Sequence, residues 1–268
     1  MKSKTNRIQS FSALFVWLLL CAGNSLGAAE PASPKIPAIR HLDPPQQEFF
    51  SKQLDFETIP IKAHQVVSDE ALVAGYARLQ SLFAHFGSYR EAILGNLAKA
   101  RVELHIIGRS QVTTDLPEWR KDKGKPLAEY NGLTRDQRTR GMGGRLVSCG
   151  EENLLGLKED RYFGRSICVH EFAHAIRNHG ITPALREQFN QQFQRSLAKG
   201  LWRGSYAGSN ADEFFAELTM WYLGTHGDLG MTGAKPRNGT QGLRDYDPEA
   251  YALLDAFYGG RAEWHPAK

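Results

Sequence analysis

Two histidines four residues apart, with a glutamate between them, form a pattern suited to holding a metal ion. His170, Glu171 and His174 belong to the sequence His-Glu-Phe-Ala-His. In an α-helix, four residues advance by about 400° and about 6 Å, so the two imidazoles face the same side. Both can bind one Zn²⁺, and Glu171, about 100° round from His170, can reach a water on the metal without being a ligand. This stretch predicts a helical zinc site with a carboxylate beside it.

A catalytic zinc site needs a third protein ligand and an open position for water. A third histidine six residues after His174 would complete one pattern, but Gly180 stands there. Glu213 and Glu217 lie one turn apart on a later predicted helix that Asn210 can cap. Two phenylalanines beside them indicate a largely buried helix, and buried carboxylates need partners such as a metal with its histidines. Spacing alone leaves open which of the two carboxylates completes the site.

Two blocks of the chain together resemble a known family. They are His170-Glu-Phe-Ala-His174 and Ser205-Tyr-Ala-Gly-Ser-Asn-Ala-Asp-Glu-Phe-Phe-Ala-Glu217. In order and content they resemble the catalytic domain of anthrax-lethal-factor-like zinc metallopeptidases, which belong to the gluzincin group of zincins. The resemblance covers about residues 160–225 and does not extend to the toxin's receptor-binding or target-docking regions, so its substrate cannot be transferred.

The resemblance implies a role for each residue of the two blocks. Glu213 would be the third zinc ligand, and Glu171 the general base. Tyr206, seven residues before Glu213, would stabilise the oxyanion, and Glu217 would orient a ligand histidine. These roles imply a Zn²⁺ cofactor, a peptide or protein substrate and hydrolysis of peptide bonds with an activated water.

Two other functions remain open from the sequence. The chain could be an exported zinc-binding protein without hydrolytic activity, although Glu171 and Tyr206 are not needed merely to hold a metal. It could also be a zinc hydrolase acting on a non-peptide amide, such as a cell-wall link. Metal analysis and cleavage assays separate these functions.

The elements that position the site predict an α+β, zincin-like metallopeptidase domain. A helix over Tyr162–Asn178 carries the histidine pair, and a helix from Asn210 to about Gly224 carries the acidic residues. Thr182 caps a further helix between them. Alternation around Val102, Leu104 and Ile106 predicts a strand. We expect a small amino-terminal sheet packed on the metal helix, and a mainly helical carboxy-terminal part.

The polar stretch over residues 109–145 is long for a structureless loop, so we expect a hairpin or a functional loop in it. The run Gly141-Met-Gly-Gly144 lacks the strand, helix and glycine spacing of a phosphate-binding loop. The following residues, Arg145–Ser148, read as an edge strand that could align an extended substrate by β-addition.

The amino terminus is typical of a cleaved export signal over residues 1–29. Lys2, Lys4 and Arg7 precede an apolar core, Phe11–Cys21, and small residues follow. That core is too short for a comfortable bilayer span. We therefore expect a secreted or periplasmic protein with no stable membrane span after signal cleavage. A proline-rich linker over residues 30–48 then leads into a catalytic domain over residues 49–268.

Export also bears on the cysteines and on the charge. Cys149 and Cys168 remain after signal cleavage, and an oxidising compartment would allow them to pair, the alternative being two buried thiols. Without the three basic residues of the signal, the chain has one more basic than acidic residue. This near-neutral balance argues against a nucleic-acid partner.

Overall fold

One β-sheet carries the helices that hold the candidate site. The computed structural model describes residues 36–225 and 235–260. The strands are β1 (Arg40–Gln46), β2 (Phe50–Phe56), β3 (Ile59–Ala63), β4 (Glu103–Ile107), β5 (Gly141–Met142) and β6 (Leu146–Gly150). The α-helices are α1 (Asp69–Phe83), α2 (Arg90–Lys99), α3 (Arg135–Arg138), α4 (Glu151–Leu154), α5 (Ile167–Ala175), α6 (Pro183–Ala198), α7 (Ala211–Tyr222), α8 (Thr240–Tyr246) and α9 (Pro248–Tyr258).

The sheet is mixed, and its spatial order is β1-β2-β3-β4-β6-β5. Strands β3, β4 and β6 run parallel, whereas β1, β2 and β5 run antiparallel to their neighbours. A parallel connection needs a crossover, and α1 with α2 supplies it between β3 and β4. The short strand β5 therefore forms one edge of the sheet.

Apolar rows on one face of the sheet form the floor of the main core. The register places Ile61 opposite Leu104 and Leu104 opposite Val147. Helix α1 approaches closely at Gly75, where an added Cβ would lie 3.6 Å from both Ile61 and Leu104. Helix α5 packs against β6 and α1 on the same core. The helix of the candidate metal site thus rests on the sheet at β6, next to the edge strand β5.

The opposite face of the sheet buries a charged cluster around His105. Its Nδ1 lies 2.7 Å from Glu118 Oε1, and its Nε2 lies 2.9 Å from Glu103 Oε2. Lys62 Nζ lies 2.7 Å from the same Glu103 oxygen. Burial alone lowers the pKa of His105, but its hydrogen bonds with the two carboxylates and their charges raise that pKa above its ordinary value. The imidazolium is therefore the stabilised form here.

The sequence predicted the starts of two helices from their capping residues, and the structure contains both. The side chain of Thr182 accepts a hydrogen bond from Leu185 N, and Pro183 is the first residue of α6. Asn210 Oδ1 accepts from the backbone N–H groups of Asp212 and Glu213. This cap fixes the first turn of α7, which carries Glu213.

The histidine helix is shorter than the predicted range of Tyr162–Asn178. Helix α5 begins only at Ile167, because Asp160 accepts hydrogen bonds from the backbone of Tyr162 and Gly164 and holds residues 160–164 in turns. The helix ends at Ala175 and continues as one π-helical turn, Ile176–Gly180.

Two further expectations differ from the structure. The linker expected over residues 30–48 instead contains β1, an edge strand whose irregular register tolerates Pro44 and Pro45 because a strand edge does not require every N–H. The edge strand expected at Arg145–Ser148 is also wrong, because β6 lies between β4 and β5. The true edge at this end is β5.

Most of the predictions for the amino terminus concern residues that the structure does not describe. The predicted signal peptide, residues 1–29, is outside the described residues. Among the helices of residues 36–225 and 235–260, none has the length and apolar character to span a bilayer.

Candidate active site

Three side chains from two helices bring their ligand atoms together. His170 and His174 lie one turn apart on α5, with their Nε2 atoms 3.2 Å apart. Glu213, in the first turn of α7, places Oε2 3.1 Å from His170 Nε2 and 3.4 Å from His174 Nε2. The structure therefore unites the histidine pair with the carboxylate that the family resemblance selected.

The separations and the surroundings of these atoms fit a zinc ion. Ligand atoms bound tetrahedrally to zinc at about 2.0–2.1 Å lie about 3.3 Å from one another. Glu213 Oε2 is buried, with no hydrogen-bond donor aligned on it. A buried carboxylate oxygen in that condition is costly unless a cation satisfies it. Two imidazoles and one carboxylate are also a ligand set that catalytic zinc sites use.

His170 and Glu213 also perturb each other's protonation. Burial alone lowers the pKa of His170, but contacts with Glu213 and Glu217 raise it to about 10. Burial alone raises the pKa of Glu213, but the two imidazoles lower it to about 2. A metal ligand must be a neutral imidazole, so metal binding at this site is coupled to proton release.

A buried ion pair supports His170 from behind. Glu217 Oε1 lies 3.2 Å from His170 Nδ1, on the opposite side of the ring from Glu213. Arg165 forms an ion pair with the same Glu217 oxygen. Because Glu217 is 1% exposed, this guanidinium balances a charge that water does not reach. The arrangement places a carboxylate on the ring nitrogen that does not face Glu213.

A buried asparagine fixes the segment that leads into the histidine helix. Asn153 donates hydrogen bonds to Arg165 O at 2.7 Å and to Asp160 Oδ2 at 3.0 Å, and its Oδ1 accepts from Ile167 N at 3.0 Å. Sequence reasoning missed both Asn153 and Arg165. They are single polar residues without a repeated spacing, and no local signal distinguishes them.

The ligand atoms open onto a cavity of about 500 Å³. Glu171 lines this cavity beside both histidines. Burial raises the pKa of Glu171 above its ordinary value, against the opposing charges of the two imidazoles. The other walls include Tyr130, Met142 and Tyr162. The site thus combines a metal-ligand triad, an adjacent carboxylate and space for a ligand.

Tyr206 stands at the rim of this cavity. Its hydroxyl donates to Glu213 Oε1 at 3.1 Å, and its ring lies 6.1 Å from the His170 ring at an interplanar angle of 24°. The side chain is 46% exposed. Burial of the hydroxyl and the charge of Glu213 raise the pKa of Tyr206. The phenol therefore stays protonated and is available as a hydrogen-bond donor.

The glycine run before β6 lets the sheet edge approach the histidine helix. An added Cβ at Gly141 would lie 2.4 Å from Ile167 Cγ2 and 3.0 Å from Glu171 Oε1. At Gly143 it would lie 2.8 Å from His174 Cβ. These positions need glycine because the backbone passes directly over two residues of the site.

The two cysteines that the sequence left open are free thiols in the structure. Cys149 on β6 and Cys168 on α5 are both buried and in contact. Burial raises the pKa of the Cys149 thiol well above its ordinary value. The pair lies between β6 and α5, and neither cysteine belongs to the cavity lining.

Comparisons with known proteins support the fold. No family model matches the chain, and no curated protein matches it. Among solved structures, it is similar to the PRO-PRO endopeptidase (PPEP-2) from Paenibacillus alvei, with a TM-score of 0.50 and 18% identity over 75% of this chain and 97% of that one. The likeness supports the zincin-like α+β fold. It does not extend to the narrower lethal-factor-like family, which stays a prediction.

Proposed function

We propose that this chain is an exported, zinc-dependent metallopeptidase of the gluzincin type. The observation that carries the proposal is the convergence of two histidine nitrogens and one glutamate oxygen within 3.1–3.4 Å at a cavity that also contains Glu171. The resemblance of two sequence blocks to lethal-factor-like peptidases supports the same assignment, as does the structural likeness to an endopeptidase.

In this proposal His170, His174 and Glu213 hold the zinc ion. When bound, the ion would lower the pKa of a water molecule and polarise the scissile carbonyl. Glu171 accepts the proton of the attacking water on its carboxylate and later passes it to the leaving amine. Burial helps this role by raising the pKa of Glu171 towards neutrality, while the charge of a bound dication acts in the opposite direction.

Tyr206 acts as the oxyanion donor in the same proposal. Its hydroxyl donates to Glu213 Oε1, so the donor already points towards the ligand atoms. Its half-exposed side chain can turn the hydroxyl towards a substrate oxygen as negative charge develops there. Glu217 and Arg165 keep His170 oriented throughout the reaction.

The substrate of the proposed peptidase is an extended peptide. Strand β5 is an open edge of the sheet beside Glu171, and a peptide added to it would pair through its main chain. The structurally similar protein is described as a PRO-PRO endopeptidase. Peptides with consecutive prolines therefore belong among the first substrates to be tested, alongside sequences without proline.

Metal analysis combined with a cleavage assay tests this proposal. We expect one zinc ion per chain and chelator-sensitive cleavage of a mixed peptide library. The variant Glu171→Gln should keep the zinc and lose about 100- to 10,000-fold in kcat, because a general base is removed without a ligand. Full activity of Glu171→Gln would contradict the proposed base.

The other outcomes of this assay identify the alternatives. Zinc without cleavage by the wild-type protein would favour a binding protein, and cleavage of cell-wall material alone would favour a non-peptide amide hydrolase. Export has its own test. Expression with a cell-fractionation assay should place the protein outside the cytoplasm with its amino terminus near residue 30, and a cytoplasmic chain with an intact terminus would contradict it.

A further inference from the structure

Arg138 differs from the other arginines near the cavity. It ends α3 and lines the cavity wall. Arg135, Arg140 and Arg165 each form an ion pair with a carboxylate. Within residues 36–225 and 235–260, the guanidinium of Arg138 has neither an ion pair nor a side-chain hydrogen bond. Arg138 is exposed, and among the described residues no carboxylate pairs with its guanidinium at the cavity wall.

The helix that carries Arg138 is held firmly. Thr134 and Gln137 form a capping box at its start. Arg135 in the same turn is 5% exposed, and it lies 2.8 Å from both Asp122 Oδ2 and Tyr130 Oη. The short helix α3 is thus already held in place before a ligand binds, which lowers the entropic cost of ordering Arg138.

The charges around the cavity would favour an anionic ligand once a dication is bound. Two guanidiniums, those of Arg138 and Arg165, and three carboxylates line it. A bound dication would bring the formal charge of the lining to +1. Arg138 lines the same cavity as Tyr206 and the ligand residues His170, His174 and Glu213.

We propose that Arg138 binds a carboxylate of the peptide substrate and is a specificity-determining residue. This inference rests on the proposed peptidase function. The planar guanidinium presents paired N–H donors that match a carboxylate. Arg138 precedes β5 by three residues, so it stands beside the edge on which the peptide would pair. The carboxylate belongs either to an aspartate or glutamate side chain or to the free carboxy terminus of the peptide.

Matched peptides distinguish these two sources. A cleavable peptide is prepared with aspartate or asparagine at each position in turn, and with a free or amidated carboxy terminus. We expect the wild-type enzyme to prefer one acidic member by about tenfold in kcat/KM, mainly through KM, because a charge-assisted hydrogen bond is lost in its neutral partner. Arg138→Gln should bring that ratio close to one, and Arg138→Glu should reverse it.

A control variant and a binding measurement keep the test decisive. Arg78→Gln removes one positive charge from α1, outside the cavity lining, and should keep the wild-type ratio. The same peptides are bound to zinc-loaded Glu171→Gln protein, with and without Arg138→Gln, by fluorescence anisotropy. Equal treatment of acidic and neutral peptides, or a preference that survives Arg138→Gln, would overturn the inference. If the wild-type protein cleaves no peptide, the proposed function fails, and the binding measurement still decides the role of Arg138.

Discussion

The two ring nitrogens of His170 face different carboxylates, and only one of these, Glu217, is paired with Arg165. Nδ1 faces Glu217, and Nε2 faces Glu213. A proton held on Nδ1 by a carboxylate leaves the lone pair of Nε2 free for a metal. This selection of the tautomer depends on a negative charge at residue 217, which Arg165 balances.

Replacing that charge should weaken the metal site. We expect Glu217→Gln to lower zinc affinity about 10- to 100-fold, because the amide orients the imidazole less strongly and leaves Arg165 unpaired. Competition with a fluorescent chelator measures the affinity. Glu70→Gln on α1 is the control, since Glu70 is exposed and lies outside the cavity lining. An unchanged zinc Kd for Glu217→Gln would refute the role of this carboxylate.

The elements differ in how strongly their own residues specify them. Helices α6 and α7 could be predicted because Thr182 and Asn210 act on backbone N–H groups within three residues. The start of α5 could not be predicted, because Asn153 and Asp160 fix it through contacts between separate segments. Strand β1 was not predicted, because its prolines are typical of a linker and are tolerated in a strand only at a sheet edge.

The close approach of the strand β5 segment to α5 gives a prediction for the glycine run. We expect Gly143→Ala to destabilise the protein by about 1–3 kcal/mol and to weaken zinc binding, because the new methyl group must displace His174. Urea unfolding and zinc titration measure the two effects. Gly95→Ala on α2 is the matched control, since an added Cβ meets nothing within 4 Å and should stabilise the helix slightly. Wild-type zinc affinity in Gly143→Ala would contradict this account.

At the scale of the whole molecule, the two faces of the sheet support different groups of residues. One face supports the helices of the metal site, and the other buries the charged cluster of His105, Glu103 and Glu118. The histidine pair was readable from sequence because its spacing lies within one helix. The approach of Glu213 depends on packing between α5 and α7 and came only from a family resemblance. Arg138 and Arg165 could not be identified from the sequence, because only the folded structure brings them to the cavity.

The cluster on the second face makes stability depend on pH. The pKa of His105 is raised in the folded protein, so its contribution is fully present below about pH 6.5 and is lost as the pH rises through the folded value. The pKa of Glu103 is lowered to about 2, with burial opposing and the contacts to His105 and Lys62 prevailing. Its contribution is present above about pH 4.5 and is lost as the pH falls towards 2. The cluster therefore stabilises the fold most between these limits.

A histidine variant tests this linkage. We expect His105→Gln to destabilise the protein by about 1–3 kcal/mol at pH 6, with a smaller difference from wild type at pH 9. Urea unfolding at several pH values measures this difference, in which titration of the metal-site histidines largely cancels. His85→Gln, at an exposed position, controls for the loss of an imidazole. A difference that grows with pH would contradict the assignment.

The contact between Cys149 and Cys168 offers a natural reporter of motion beneath the histidine helix. Both sulfurs are shielded, so an alkylating reagent reaches them only when β6 and α5 part locally. The labelling rate of the native protein therefore reports how often β6 and α5 separate, and no introduced probe is needed. Any ligand that holds α5 against β6 would slow the labelling reaction.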